Sequence, residues 1–160
     1  VSKSYSMTGW RIGYAAGPIE IIKAISKIQS QSTSNPSSIS QAAAVEALNG
    51  IQNFIKIRSD SFKKRRDFVV DSLNSIQGLS CLRPEGAFYV FPNCKKLLGK
   101  KTNLKTDKEF VEKLLEKSEV AVVQGSAFGL EGYFRISYAT SMEKLREAMK
   151  RIKYFCDSLN

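Results

Sequence analysis

The sequence predicts an α/β protein in which helices with one apolar side alternate with short apolar strands. Five stretches carry apolar residues at the three- and four-residue spacing of an α-helix, at 21–28, 39–48, 51–76, 110–115 and 142–159. Four other runs are apolar or rich in aromatic and branched residues, which is typical of strands, at 12–16, 87–92, 120–123 and 133–139. With 160 residues and 42% hydrophobic content, the chain can bury a core.

Residues with restricted backbones mark the boundaries of the first two helices. Gly17-Pro18 closes the apolar run at 12–16 and predicts a helix start, because the N–H that proline lacks has no partner in a first turn. Asn35-Pro36 predicts the next start, with the asparagine as cap, and Gly50 predicts the end of that helix.

The second part of the chain begins with one long helix. No proline or glycine interrupts the apolar pattern over 51–76, and Gly78 predicts the end of the helix. Thr106 and Glu109 have the spacing of a capping box, in which the threonine bonds forward and the glutamate bonds back. The segment 140–143 predicts the cap of the last helix.

Charge and cysteine usage narrow the function classes. The net charge is +10, but the densest basic run, 63–66, lies among acidic and apolar residues without a nucleic-acid-binding motif, so no nucleic-acid partner is expected. No apolar run reaches the roughly 18 residues of a membrane span, and no secretory signal is expected. Cys81, Cys94 and Cys156 occur without any histidine, so no metal site is expected and the thiols indicate a reducing, cytoplasmic setting.

Residues 1–14 combine two cations with different chemistry. Lys3 lies among small hydroxyl residues, and Arg11 follows eight positions later. A lysine amine beside a fixed cation can act as a nucleophile toward a carbonyl. Arginine binds phosphate with a rigid fork of donors. A phosphorylated aldehyde would use both groups, with one end covalently bound and the other ion-paired.

This stretch resembles the lysine signature of the class I and II aminotransferases, which depend on pyridoxal 5'-phosphate. Every fixed position of that signature is filled, by Lys3, Ser6, Met7, Gly9, Arg11, Ile12 and Gly13. The amino-acid sequence of residues 6–14 is similar to that of the aspartate aminotransferase branch in particular. The segments 84–89 and 135–139 also resemble the family, whereas Gln124 stands where the family usually has proline.

The resemblance implies a role for three residues. Lys3 would bind pyridoxal phosphate covalently and move the proton in catalysis, and Arg11 would hold the phosphate. Arg135 would bind the α-carboxylate of the substrate. From the residues alone, Arg11 could instead form a salt bridge at a strand edge. Arg135 could occupy a half-exposed strand position, although a lone arginine in an apolar strand is costly unless it is paired.

The resemblance also implies the architecture of the whole protein. The chain would be the C-terminal part of a fold-type I pyridoxal-phosphate-dependent transferase with a small α+β domain. Residues 1–50 would end the large cofactor-binding domain, 51–78 would be the interdomain helix, and 79–160 the small domain. Because Val1 falls inside the signature, we expect further cofactor-binding residues upstream and little activity from this chain alone. The complete enzyme would be a homodimer.

The activity implied is transamination between an amino acid, aspartate above all, and a 2-oxo acid such as 2-oxoglutarate. Three alternatives stay open: an aminotransferase for aromatic amino acids or prephenate, a decarboxylase or synthase on the same scaffold, and a non-catalytic basic domain that binds acidic partners. The amino-acid sequence of residues 10–14 and the presence of Arg135 favour an aminotransferase.

Overall fold

The computed structural model describes residues 1–159, which form two compact units that divide between Ser59 and Asp60. The helices and strands, in chain order, are α1 (Ile19–Ser32), α2 (Ser38–Asn49), α3 (Asn53–Asn74), β1 (Tyr89–Val90), α4 (Asp107–Ser118), β2 (Val123–Gln124), β3 (Phe134–Ser137) and α5 (Met142–Asp157). Short 3-10 helices occur at Thr8–Trp10, Lys95–Leu97 and Gly125–Phe128. The mixed helix and strand content confirms the predicted α/β class.

All five predicted helices are present, with small shifts at their ends. The second helix begins at Ser38, with Ser37 rather than Asn35 at the N-cap, so the predicted asparagine cap is wrong. The side-chain amide of Asn35 donates to the carbonyl of Pro36 (3.4 Å) and therefore does not cap the helix. The predicted end at Gly50 is confirmed, since its N–H donates to the Glu46 carbonyl at 2.8 Å.

Side-chain caps begin the last two helices. The hydroxyl of Thr106 accepts from the N–H of Glu109, and the hydroxyl of Ser141 accepts from the N–H of Lys144, both at 3.2 Å. The returning bond of the capping box is displaced by one residue, because Oε2 of Glu109 accepts from the N–H of Lys105 at 2.6 Å. Both predicted helix starts are confirmed.

The predicted strand at 12–16 is wrong. The segment has no regular secondary structure, because a strand needs a neighbour to share its backbone hydrogen bonds and nothing within residues 1–159 pairs with it. The other three strands exist. Those at 89–90 and 134–137 are shorter than predicted, whereas the strand predicted at 120–123 is shifted to 123–124.

The three strands form one antiparallel sheet in the order β1-β3-β2. Ile136 of β3 pairs with Val90 of β1, and Arg135 pairs with Val123 of β2. Because side chains alternate along a strand, Phe134 and Ile136 are buried whereas Arg135 is half-buried. The sheet therefore fixes the position of Arg135 from both of its edges.

The second unit contains the main hydrophobic core. The ring of Phe110 on α4 lies 5.1 Å from that of Phe134 and 5.4 Å from that of Phe155 on α5, measured between centroids. Other fully buried members of this core come from α3, α4 and α5, and they include Val69, Leu73, Leu114, Ile152 and Cys156. The burial of Cys156 confirms its prediction as a core residue.

The first unit buries much less of its apolar surface. Ser40 and Ala44 are its buried residues in the described part of the chain. Large apolar side chains on its helices are exposed, including Ile19, Ile21, Ile25, Ile28, Ile39, Val45 and Leu48. None of the helices within residues 1–159 has the length and apolar character that a membrane span requires.

Candidate active site

Lys3 lies in a compact turn at the start of the first unit. The N–H of Tyr5 donates to the carbonyl of Val1, and the N–H of Ser6 donates to the carbonyl of Lys3, both at 3.2 Å. Ser6 has a positive φ of 56°, which reverses the chain direction. The side chain of Lys3 is exposed, so the turn presents its amine at the surface of the unit.

The beginning of α3 holds this turn in place. The hydroxyl of Tyr5 donates to Oε1 of Gln52 (2.9 Å), and its ring meets the ring of Phe54 edge-on at 6.1 Å. Nη1 of Arg58 donates to the hydroxyl of Ser6 (3.1 Å), while the Arg58 guanidinium lies 4.7 Å from the Phe54 ring centroid. The lysine turn is thus attached to residues 52–58 through Tyr5 and Ser6.

Arg11 follows the 3-10 helix Thr8–Trp10 and has a left-handed backbone, with φ 51° and ψ 47°. Nη1 of Arg11 donates to the carbonyl of Thr8 at 3.0 Å. The buried hydroxyl of Ser40 on α2 donates to the carbonyl of Trp10 at 2.8 Å and anchors the same segment. Among the described residues, no carboxylate pairs with Arg11, so the salt-bridge alternative has no support.

Arg135 contacts two aromatic rings. Its guanidinium carbon is 4.4 Å from the centroid of Tyr89 on β1 and 4.4 Å from that of Phe128. Rings at this distance stabilise the cation, and the N–H groups of a guanidinium can bind a planar anion. No carboxylate in the described part of the chain pairs with Arg135. Both explanations of Arg135 predict a half-buried position, but the rings and the missing partner favour a ligand.

Phe128 is itself supported by further rings. The ring of Phe91 meets that of Phe128 edge-on at 6.0 Å and stacks on that of Tyr133 at 5.6 Å. Nζ of Lys95 lies 5.3 Å from the centroid of Tyr133. These contacts fix the Phe128 ring that lies against Arg135.

Tyr138, directly after β3, connects this strand to the residues just before β1. Its hydroxyl donates to the carbonyl of Ala87 at 2.9 Å, and its N–H donates to the carbonyl of Phe88 at 2.9 Å. Burial raises the pKa of Tyr138, so the phenol stays neutral and acts as a donor. These bonds place β1, and with it Tyr89, beside Arg135.

Lys3 and Arg11 lie in the first unit, and Arg135 lies in the second. Sequence reasoning identified these cations but missed Ser40, Tyr5, Tyr89 and Phe128, which position them. An aromatic residue at 89 or 128 carries no signal of its own, because only the pairing of β1 with β3 and the fold of the 125–128 turn bring those rings to Arg135.

Comparison with known proteins assigns this arrangement to a class. A family model for aminotransferase class I and II matches residues 1–152. The chain therefore belongs to the class I and II aminotransferase family. The family resemblance drawn from residues 3–13 is confirmed.

The names of individual relatives include aspartate as a substrate. The chain is 60% identical over 164 residues to an aspartate aminotransferase of Rhizobium meliloti, covering 100% of this chain and 40% of the relative. It is 56% identical over 163 residues to a probable aspartate/prephenate aminotransferase of Rickettsia prowazekii, covering 99% and 41%. The chain thus spans about 40% of the length of the curated relatives that it matches.

Solved structures share the fold. The crystal structure of the Rhizobium meliloti aspartate aminotransferase matches with a TM-score of 0.88 and 61% identity, covering 98% of this chain and 40% of that one. An alanine aminotransferase from Pyrococcus furiosus matches with a TM-score of 0.84 and 36% identity, covering 98% and 40%. The fold-type I transferase architecture implied by the resemblance is confirmed for the part of the fold that these residues cover.

Proposed function

We propose that residues 1–160 form the C-terminal part of a pyridoxal-phosphate-dependent aminotransferase that moves an amino group between aspartate and 2-oxoglutarate. The family membership and the names of the relatives support this activity. The observation that carries the proposal is Arg135, a half-buried cation that contacts two aromatic rings and has no carboxylate partner among the described residues. Such a group suits a substrate carboxylate bound through two parallel hydrogen bonds.

The residues of the first unit fit the cofactor. Pyridoxal phosphate carries an aldehyde and a phosphate. This unit offers an exposed amine at Lys3 and, at Arg11, a guanidinium with no carboxylate partner within residues 1–159. The bonds from Ser40, Tyr5 and Ser6 hold both segments in fixed backbone conformations. The chemistry supplied by the bound cofactor is an electron sink for the α-carbon of the amino acid.

Each of the three cations then has its own role. Lys3 would hold the cofactor at its aldehyde and would move the proton at the substrate α-carbon. Arg11 would ion-pair with the phosphate and keep the cofactor oriented. Arg135 binds the α-carboxylate and presents the α-carbon in a fixed orientation.

The domain assignment remains part of this proposal, with 1–50 in the large domain, 51–78 as the interdomain helix and 79–160 as the small domain. We place the complete enzyme in the cytoplasm, in amino-acid metabolism, as a homodimer. The family resemblance implies an acidic partner for the cofactor ring, a stacking aromatic residue and a phosphate-binding loop outside these residues. We therefore expect residues 1–160 alone to produce no oxaloacetate from aspartate, 2-oxoglutarate and pyridoxal phosphate. Sustained turnover by this chain would refute that expectation.

Replacement of Lys3 by alanine tests the proposal directly. In the full-length enzyme that carries this chain, Lys3→Ala should abolish the near-visible absorbance of the covalently held cofactor, because no other amine takes its place. Lys23→Ala on α1 is the matched control, since Lys23 is also exposed but lies outside the lysine turn. Borohydride reduction and peptide mapping should place the label on Lys3. A label elsewhere, or an unchanged spectrum in Lys3→Ala, would refute the assignment.

A second substrate is favoured by the relatives, several of which are named aspartate/prephenate aminotransferases. We infer that prephenate is a candidate amino acceptor beside 2-oxoglutarate. Steady-state kinetics with aspartate and each acceptor in turn would decide between them. A kcat/KM for prephenate below that for 2-oxoglutarate by several orders of magnitude would reject the second candidate.

A further inference from the structure

Asp107 is a buried carboxylate that the proposed chemistry does not use. It is the first residue of α4 and is 2% exposed. Burial of a carboxylate is costly unless its oxygens accept hydrogen bonds. Oδ1 accepts from the N–H of Lys108 (3.1 Å), and Oδ2 accepts from the N–H of Ser126 (2.7 Å). The second bond leaves the helix and reaches a different segment.

Asp107 is not needed to cap α4. Thr106 occupies the N-cap and accepts from the N–H of Glu109 at 3.2 Å, while Glu109 accepts from the N–H of Lys105 at 2.6 Å. The bond from Ser126 is therefore additional to a helix start that already has side-chain partners. It connects α4 with the 3-10 turn Gly125–Phe128.

The turn that Asp107 holds is compact. The N–H of Gly125 donates to the carbonyl of Tyr133 (2.7 Å), and the N–H of Leu130 donates to the carbonyl of Gly125 (3.1 Å). A Cβ atom on Gly125 would collide with the carbonyl of Leu130, so the backbone there has little room to shift. Only Ala127 separates Ser126 from Phe128, whose ring lies 4.4 Å from the guanidinium carbon of Arg135.

We propose that Asp107 is a positioning residue for substrate binding, which acts through Ser126 and Phe128 on Arg135. This inference rests on the proposed role of Arg135 as the carboxylate-binding group. The carboxylate of Asp107 fixes the 125–128 turn, the turn fixes the ring of Phe128, and the ring restricts the guanidinium to one plane. Without the bond to Ser126, Arg135 samples more orientations and binds a planar carboxylate less tightly.

The test uses Asp107→Asn in the full-length enzyme, which keeps the volume of the side chain but removes its charge. We expect KM for aspartate and the dissociation constant of an unreactive dicarboxylate such as succinate to rise about tenfold. The kcat should change by less than about threefold, and cofactor absorbance should be unchanged, because Lys3 and Arg11 lie in the other unit. Thr106→Ala is the matched control, since it weakens the same helix end without touching the turn.

A double-mutant cycle separates positioning from general stability. In a Phe128→Leu background, Asp107→Asn should add little to KM, because the ring through which it acts is already gone. Asparagine keeps one acceptor oxygen that can still bond to Ser126, so Ser126→Pro, which removes the donor of that bond outright, is the second variant and should raise KM similarly. Unchanged KM in folded Ser126→Pro, or full additivity of Asp107→Asn with Phe128→Leu, would overturn the inference. Arg135→Lys is the reference: if it leaves KM unchanged, the proposed function itself fails, whereas a raised KM there with a normal Ser126→Pro rejects only this inference.

Discussion

At the residue scale, Arg135 is held by rings rather than by an opposite charge. Tyr89 and Phe128 contact its guanidinium, each with its centroid 4.4 Å from the guanidinium carbon. A flat cation suits this space, whereas the ammonium group of lysine is a compact point charge on a flexible stem. The site therefore depends on the shape of the guanidinium as well as on its charge.

We expect Arg135→Lys to raise KM for aspartate by about 10- to 100-fold, since one charged hydrogen bond contributes about 1.5–3 kcal/mol and lysine cannot replace the two-pronged contact. Steady-state kinetics on the full-length enzyme would measure this change. Arg151→Lys is the control, because Arg151 on α5 forms exposed ion pairs with Glu119 and Glu147. An equal effect of both substitutions would contradict the assignment.

Two buried thiols should make the free energy of unfolding decrease at alkaline pH. Burial raises the pKa of Cys94 and that of Cys156 from the ordinary value of 9.0 to about 12, with Asp107 and Asp157 adding in the same direction. The folded protein therefore holds these protons more tightly than the unfolded chain. Their contribution is complete below pH 9 and is lost as the pH rises toward 12, at up to about 1.4 kcal/mol per pH unit for each thiol.

This loss should be visible in urea denaturation followed by circular dichroism at pH 8, 9 and 10. The free energy of unfolding should decrease with pH more steeply in the unmodified protein than in Cys94→Ala. Cys81→Ala should behave between the two, because Cys81 is 8% exposed and its pKa is raised less by burial. Identical slopes in all proteins would show that the thiols do not contribute.

At the element scale, the turn that follows α3 depends on a glycine. Gly78 has a φ of +92°, and a Cβ atom there would lie 2.5 Å from Cδ2 of Leu97, a buried residue of the core. A side chain at this position would meet both backbone strain and a steric collision. The turn that follows α3 therefore places the backbone of Gly78 directly against the core.

Gly78→Ala should lower the free energy of unfolding by about 1–3 kcal/mol. Two other glycines separate the causes: Gly99 has a φ of +134° with open space around it, and Gly86 has neither strain nor a close neighbour. Gly99→Ala should lose less stability than Gly78→Ala, and Gly86→Ala should be close to neutral. Urea denaturation of the three variants would measure this order, and a Gly86→Ala as unstable as Gly78→Ala would contradict it.

Helices were predictable from the sequence because their signals are local. The apolar spacing over 51–76 and the cap at Ser141 lie within a few residues of the bonds that they predict. Strands depend on partners elsewhere in the chain, so the apolar run at 12–16 predicted a strand that nothing within the described residues pairs with. The candidate site residues show the same difference between local and distant signals. Lys3 and Arg11 were predictable because they belong to one short motif, whereas Tyr89 and Phe128 reach Arg135 only through tertiary structure.

At the scale of the whole molecule, the two units differ in how well they are packed. The second has a continuous core of fully buried side chains. The helices of the first carry exposed isoleucines, with Ile21 at 55%, Ile25 at 44% and Ile28 at 69% exposed on α1. Exposed apolar patches of this kind promote association.

Residues 1–160 produced alone should therefore form dimers or larger species in sedimentation velocity. Ile25→Asp combined with Ile28→Asp should shift the distribution toward monomer, because charge on this surface opposes apolar contact. Lys23→Asp, a charge change on the same helix that leaves the isoleucines in place, is the control. A monodisperse monomer of the unmodified chain would contradict the prediction.

The division between Ser59 and Asp60 falls inside α3, and this has a practical consequence for anyone who wishes to shorten the protein. A truncation at that point would cut a continuous helix and expose backbone groups at both new ends. A truncation at Gly50–Gln52, between α2 and α3, avoids this but removes Phe54 and Arg58 from the lysine turn that they hold. Any useful fragment of either unit must consequently carry α3 in full.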